Sequence, residues 1–241
     1  MCRGDRVLNR RIPQIAQLRA FKLFADVPTD RLERFAASCE TLTVPRGSMV
    51  LEHEDEGEDM FLVHSGRMNA ILLSGKGREV ALGEISTNQY FGELNALDGG
   101  TRSASIYART EARLTRVPGA AFRELLADQP DMSLKLLKDL AARVRDLTQR
   151  SFELTALKLA DRLCLFLLRM AVEADVMRDG GVVMGVPTHA EIGARVGANR
   201  EAVSREMSAL SSAGLIETHR QRVVIRDADG LMTIADRIKA T

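Results

Sequence analysis

Between residues 40 and 117 the apolar positions fall in short runs, and beyond Pro130 they recur every three or four residues. The chain therefore changes from a strand-forming to a helix-forming pattern. The strand-like runs are TLTVPRGSMVL, DMFLVHSGRMNAILL, EVALGEI and SASIYARTEARLTRV, rich in Val, Ile, Leu and Thr. Gly47, Gly57, Gly66, Gly75, Gly77, Gly83, Gly92 and the Gly99–Gly100 pair punctuate them. Many short strands with glycine turns predict a closed antiparallel roll of the jelly-roll kind rather than a parallel sheet. Such a roll is concave and has room for a small ligand, although strand periodicity alone does not show that it holds one. Ahead of it, a polar lead and an apolar helical patch occupy residues 1–25. VPTDRLERFAASC (27–39) predicts a short helix started at Pro28 and supported by Asp30 near its positive end.

The second half of the chain reads as helices. Ala121 to Leu126 predicts a short one, and after Pro130 a long one follows in which Leu137, Leu140, Val144, Leu147, Ser151 and Leu154 have coiled-coil spacing. Arg143, Arg145, Asp146, Gln149 and Arg150 leave its other faces polar, so the stripe suits pairing with a second copy; burial within one subunit is the alternative. Residues 155–173 predict a helix whose dense apolar face belongs to a C-terminal core, with a boundary near 150–158. THAEIGARVGANREAVSREMSAL (188–210) then predicts two short helices joined at Gly197. Thr188 caps the first with Glu191 completing a capping box, and Ile192 and Val196 share its inner face. Asn199 caps the second, in which Val203, Met207 and Leu210 point inward and Arg200, Glu201, Ser204 and Arg205 lie on exposed faces. A helix of this kind fits the DNA major groove, where Arg bonds guanine and Glu accepts from cytosine. An ordinary helical hairpin on a solvated face is the alternative. Beyond Gly214, Ile216 and then Val223, Val224 and Ile225 flank a basic tip at His219 to Arg222, predicting a two-stranded wing. Arg220 and Arg222 are its candidate phosphate contacts, with a solvated hairpin tip as the alternative.

Composition narrows the classes. A length of 241 residues suits two modest domains. The 34 basic and 33 acidic side chains leave a net charge of +1, so attraction to nucleic acid must be local. The chain is 45% hydrophobic without an apolar run of membrane-spanning length, and MCRGDRVLNRRIPQ lacks the apolar core of a secretory signal. A soluble cytoplasmic protein with no membrane partner is expected. Cys2, Cys39 and Cys164 are too few and scattered for a disulfide scaffold or iron–sulfur site. His53, His64, His189 and His219 show no metal spacing, and there is no GxSxG elbow. No metal and no catalytic residue are expected, so the chain reads as a non-enzyme.

FGELNALDGGTRSASI (91–106) differs from the strands around it. Glu93 and Arg102, on two sides of an Asp–Gly–Gly turn, could converge on one pocket, with Gly92 offering an accessible N–H and Ser103 a hydroxyl. A ribose bonded by Glu93 and carrying a cyclic phosphodiester held by Arg102 satisfies all of these groups. A structural Glu–Arg pair across the turn is the alternative.

This segment and GANREAVSREMSALSSAGLI (197–216), with a dimerisation helix between them, resemble the bacterial cyclic-AMP receptor protein family of transcription regulators, within the CRP/FNR superfamily. The resemblance covers about residues 20–235. It implies an α+β chain with an N-terminal antiparallel β-roll cyclic-nucleotide domain over 20–130, a dimerisation helix over 131–157 and a winged helix-turn-helix DNA-binding domain over 158–241. The implied effector is cyclic AMP, with Glu93 on the ribose 2′-hydroxyl, Arg102 and Ser103 on the cyclic phosphate, and Gly92 and Leu94 at the surrounding backbone contacts. Arg143 matches an arginine near that glutamate, and Thr148 a polar residue that reaches the base from the partner subunit. Leu147 stands where cyclic-AMP receptors often place threonine, which leaves cyclic GMP open as a further ligand. Arg200, Glu201 and Arg205, spaced R-E-x-x-x-R, match the residues that read a TGTGA-like half-site. Thr188, Asn199, Ser204, Arg220 and Arg222 complete the candidate DNA-contacting set. The implied partners are double-stranded DNA, a second copy of the chain through 131–157, and RNA polymerase. The clustered N-terminal cysteines of the superfamily's iron–sulfur branch are missing, and the Glu93–Arg102 pair favours a nucleotide over haem. A competing reading keeps the nucleotide site but uses the C-terminal hairpin as a platform for protein contacts.

Overall fold

The computed structural model describes residues 11–73 and 79–239; Cys2, Gly75 and Gly77 lie outside the described residues. The chain divides into two compact units, residues 1–142 and 143–241. The apolar patch near the start forms α1 (Ile15–Arg19) and a 3-10 turn at Lys22–Phe24. In α2 (Thr29–Ala37), Pro28 occupies the N-cap position and Asp30 the first turn, as its sequence predicts.

Eight strands follow: β1 (Glu40–Val44), β2 (Met49–Leu51), β3 (Met60–Ser65), β4 (Met68–Leu73), β5 (Glu79–Ile85), β6 (Tyr90–Phe91), β7 (Ser105–Ala108) and β8 (Ala112–Val117). They form two antiparallel four-stranded sheets in the orders β1-β8-β3-β6 and β2-β7-β4-β5. Leu42, Phe61, Phe91 and Leu114 of the first sheet share a core with Leu51, Met68 and Ile106 of the second, so the sheets face each other as a roll. The run Met60–Val63 is buried on both faces because side chains alternate across a strand. Phe61 and Val63 enter the roll, whereas Met60 and Leu62 join the helices in a second core with Leu18, Phe24, Leu32 and Phe122.

A short helix, α3 (Glu93–Asp98), interrupts the roll between β6 and β7. After β8, α4 (Gly119–Asp128) leads into α5 (Pro130–Ala156), a helix of 27 residues. Met132 and Leu136 of its first turns are buried in the helical core, and Leu140 packs partly against it. Leu140 therefore departs from the expected seam, being drawn toward its own subunit's core. Leu137, Val144 and Leu147 are 61–65% exposed.

The second unit is built on α6 (Leu159–Glu173), whose apolar face meets α7 (His189–Val196), α8 (Arg200–Ser212) and α9 (Ala228–Lys239) in one core. The expected wing is present as β10 (Ile216–His219) and β11 (Arg222–Ile225), but its sheet has three strands. The strand β9 (Val182–Met184) pairs with β11. Its three residues are too short a run to signal a strand by periodicity.

A half-buried histidine ties the roll to the helical layer. His64 Nε2 lies 2.7 Å from Thr115 Oγ1, and its ring meets Phe21 edge-on with centroids 5.2 Å apart. Burial, with a smaller contribution from the Arg113 charge, pushes its pKa down to about 4. The unfolded chain therefore binds a proton that the folded one refuses, and stability falls as pH drops from about 6.5 toward 4. Urea titrations between pH 7 and 4.5 should show this loss in the parent and a flatter profile in His64→Gln; parallel profiles would refute the assignment.

Candidate functional site

Backbone pairing positions Arg102. Its N–H donates to the Asp55 carbonyl and its own carbonyl accepts from the Glu54 N–H, both at 2.9 Å. These bonds fasten it to the loop between β2 and β3, with its side chain only 3% exposed. Nη1 donates to the Gly92 carbonyl at 3.2 Å and Nη2 to the Asp59 carbonyl at 2.7 Å. Nε is buried without a hydrogen-bond partner. Burial pulls the guanidinium below its ordinary pKa, opposed by the charges of Asp59, Asp55 and Glu93. Arginine nevertheless stays charged, so this is a buried cation with a spare donor, which suits a phosphate-type anion. Glu93 is 4% exposed and is one of the charges acting on Arg102.

Glycines make the space. Gly92 turns β6 into α3 at φ +78°, and a Cβ there would lie 2.8 Å from Arg102 Nη1 and 2.9 Å from the Asp59 carbonyl oxygen. At Gly57 a Cβ would lie 3.2 Å from Nη2. Leu94 and Ser103 are exposed, so neither side chain joins this buried group. Sequence reasoning missed Gly57, Asp59 and Arg123. Arg123 of α4 donates to the Ala96 carbonyl at 2.7 Å and to Glu58 at 2.8 Å, clamping α3 to the β2–β3 loop. A glycine inside the acidic run HEDEGED was the available signal.

Arg143 and Thr148 are exposed on α5. The Thr148 hydroxyl donates to the Val144 carbonyl at 2.9 Å, which leaves its oxygen available as an acceptor.

In the second unit both expected caps form. Thr188 Oγ1 accepts from the Glu191 N–H at 3.3 Å while Glu191 Oε2 accepts from the Thr188 N–H at 2.9 Å. Asn199 Oδ1 accepts from the Ala202 N–H at 2.8 Å, starting α8. Val203, Met207 and Leu210 are buried, and Arg200, Glu201 and Arg205 are exposed. Ser204 corrects the expectation of an exposed position. It flanks the Val203–Met207 stripe and is partly buried, its carbonyl accepting from Ser208 at 3.0 Å. Arg220 occupies the wing turn, and Arg222 opposes His219 in the last rung. A cleft of about 620 Å³ brings Thr188, Arg200 and Arg220 together with His219 of the wing tip and with His189. Glu201, Ser204, Arg205 and Arg222 do not line it. Among the described residues no metal-ligating cluster occurs, and no helix is long and apolar enough to cross a membrane.

Residues 41–129 match the family described as the cyclic nucleotide-binding domain, and residues 161–234 match the Crp-like helix-turn-helix domain. The chain is 28% identical over 210 residues to the CRP-like cAMP-activated global transcriptional regulator of Mycobacterium tuberculosis, covering 87% of this chain and 94% of the relative. It is 26% identical over 195 residues to the cAMP-activated global transcriptional regulator CRP of Salmonella typhimurium, covering 80% and 93% respectively. Among solved structures, a transcriptional regulator of the CRP family from Thermus thermophilus superposes with a TM-score of 0.60 at 26% identity, covering 80% of this chain and 96% of the other.

Two glycines in the same segment separate strain from collision. Gly92 and Gly99 both have positive φ, but a Cβ at Gly99 meets nothing within 4 Å. Gly99→Ala should cost about 1–2 kcal/mol from backbone strain alone. Gly92→Ala should cost more in urea titrations and also weaken anion binding by displacing Arg102. Equal losses, with ligand affinity retained, would show that the guanidinium does not depend on this glycine.

Proposed function

Because the chain belongs to the CRP/FNR family of transcription regulators, joining a cyclic nucleotide-binding domain to a Crp-like helix-turn-helix, we propose that it is a homodimeric, cyclic-AMP-dependent regulator of a TGTGA-like inverted repeat. The buried guanidinium of Arg102, with an unused Nε donor, carries this reading. A bound cyclic nucleotide would supply the compensating phosphodiester charge. Arg102 then holds the phosphate, Ser103 flanks it from the surface, and Gly92 and Leu94 supply surrounding backbone contacts. Glu93 accepts a hydrogen bond from the ribose 2′-hydroxyl, and Arg143 supports that glutamate.

Thr148, presented by the partner copy, reads the base. Its hydroxyl hydrogen is committed to the Val144 carbonyl, so its oxygen accepts from the 6-amino donor of adenine and has no free donor for the 6-oxo group of guanine. Leu147 adds no hydrogen bond, which leaves discrimination against cyclic GMP to this single contact. The names of the relatives, both cAMP-activated, support the same choice. Exposed Leu137, Val144 and Leu147 support pairing of two α5 helices through 131–157.

In the reading unit, Arg200 and Arg205 bond guanine edges, Glu201 accepts from a cytosine amino group, and Thr188, Asn199, Ser204, Arg220 and Arg222 face the backbone. Ligand binding shifts the population of dimers toward one that presents both α8 helices to half-sites about 34 Å apart. RNA polymerase is the further partner of the promoter-bound dimer. Protein docking on the C-terminal hairpin remains the competing reading. A gel shift on the inverted repeat separates the two: cyclic AMP should strengthen retardation, and equal binding with and without it at several salt concentrations would refute ligand gating.

Calorimetry tests the pocket. Arg102→Leu should weaken cyclic-AMP binding by at least the roughly 1–3 kcal/mol of a lost polar partner. Glu93→Ala should level the affinities of cyclic AMP and its 2′-deoxy analogue, and Thr148→Ala those of cyclic AMP and cyclic GMP. Parent-like affinity in a folded Arg102→Leu protein would remove the phosphate role.

Half-site binding under saturating ligand tests the DNA face. Arg200→Ala and Arg205→Ala should each cost about 1–3 kcal/mol on the preferred sequence and relax preference at one base pair. Arg220→Ala and Arg222→Ala should weaken all sequences alike and reduce the salt dependence. An unchanged sequence preference in the Arg200, Glu201 and Arg205 variants would show that α8 is not the reader.

A further inference from the structure

Glu153, near the end of α5, is a buried acid that neither proposed ligand uses; it is 5% exposed. Arg169 of α6 grips it with two bonds, Nη1 to Oε1 at 2.7 Å and Nη2 to Oε2 at 3.1 Å, and Gln149 donates to Oε1 at 3.1 Å. Burial alone would raise the carboxyl pKa, but the hydrogen bonds from Arg169 and Gln149, reinforced by the Arg169 and Arg150 charges, hold it below the ordinary range. The pair is therefore fully ionised near neutral pH and geometrically specific.

The next residue makes a second contact. Gly197 ends α7 at φ +67°, and a Cβ there would lie 2.5 Å from Leu154 Cδ2. Leu154, expected to end the dimer seam, instead rests against the turn between the two DNA-reading helices. Its 48% exposure leaves only part of the side chain for any partner. Arg162 of α6 closes the join, donating to the Leu157 carbonyl at 2.8 Å and the Leu154 carbonyl at 3.4 Å. Without these contacts the two residues between α5 and α6, Leu157 and Lys158, would be free to act as a swivel.

We propose that Glu153–Arg169 and Leu154–Gly197 form a latch that makes the end of α5 and the DNA-reading fold one rigid piece. Glu153 is then a positioning residue. In the dimer, which this inference takes from the function proposed above, the latch fixes how far apart and at what rotation the two α8 helices stand. It thereby sets the half-site spacing that the protein accepts. One added base pair turns a half-site by about 35° and moves it by about 3.4 Å, so a rigid dimer rejects it whereas a swivelling one follows it.

The test is fluorescence anisotropy with the full chain, saturating cyclic AMP, and TGTGA inverted repeats whose spacer is native or longer by one or two base pairs. The parent should bind the altered spacers at least about tenfold more weakly, the scale of one lost base-pair match or more. Glu153→Ala and Leu154→Ala should each reduce that ratio to under about threefold, and Glu153→Ala/Arg169→Ala should be no worse than Glu153→Ala because the pair acts as a unit. Calorimetric affinity for cyclic AMP should stay within about twofold of the parent, since these residues touch no nucleotide. A role in domain stability alone would weaken every operator equally, and a parent-like spacing ratio in the variants overturns the latch. If Glu153→Ala melts below the assay temperature, Glu153→Gln, which preserves the shape, decides by the same ratio. Parent protein that binds neither cyclic AMP nor the operator would refute the regulator reading itself, and the latch with it.

Discussion

Keeping one guanidinium charged and out of water is the requirement to which the nucleotide-binding unit answers. A buried cation is costly unless oriented dipoles or an opposite charge surround it. Arg102 meets that condition through the Gly92 and Asp59 carbonyls and the nearby charges of Asp59, Asp55 and Glu93. Each partner imposes its own demand on the chain. Gly92 must turn at positive φ without a Cβ, the β2–β3 loop must come close enough to pair with Arg102's backbone, and Arg123 must hold α3 against that loop. The buried donor at Nε is the part of this arrangement that the protein alone leaves unanswered. An anion of the phosphodiester kind would answer it.

The long helix meets a different constraint. Its first turns are anchored by Met132 and Leu136 and its last by Glu153 and Leu154, whereas residues 141–150 are all exposed. A free helix of that length is marginal in water, and exposed Val144 and Leu147 gain nothing from solvent. Pairing with a second copy, as proposed above, would supply the burial that neither unit gives this stretch. The same middle stretch carries Arg143 and Thr148, so under the proposed function a contact made there by ligand would act directly on the pairing. The ends are fastened, and the middle would be decided by the proposed partner and ligand.

The fold was legible where the physics is local. The short apolar run of β3, glycine turns, the Thr188–Glu191 box and the Asn199 cap depend on residues within a few positions of each other. Family resemblance together with residue chemistry singled out Glu93 and Arg102, and both prove buried together in the roll. Asp59 was missed because it acts through a backbone carbonyl, which side-chain identity cannot reveal. Glu153 was hidden because its role depends on Arg169, sixteen residues away across a helical join. Leu154 had the correct spacing for a seam, but helical period shows only which face it occupies and not what meets that face. Ser204 erred by a fraction of a turn, enough to move it from the exposed face to the flank. The helix α9 was not read from the sequence, although Leu231, Ala235 and Ile238 recur at helical spacing and are buried.

A net charge of +1 leaves no general attraction to DNA, so the local arrangement of cations must provide it. In the second unit several arginines are already committed: Arg169 to Glu153, Arg226 to Glu217 and Arg237 to Asp161. Among the described residues, Arg200, Arg205, Arg220 and Arg222 make no ion pair, and all four are exposed on α8 or the wing. Pairing Arg169, Arg226 and Arg237 internally neutralises them while leaving the exposed arginines of α8 and the wing uncompensated. In the proposed dimer each of these exposed arginines is duplicated, which would double the counterions released when both half-sites are engaged. One half-site alone forfeits that gain and the second set of base contacts together. Under the proposed function, specificity would then depend on both faces arriving at once, and any part of the molecule that fixes their separation would contribute to sequence choice without touching a base.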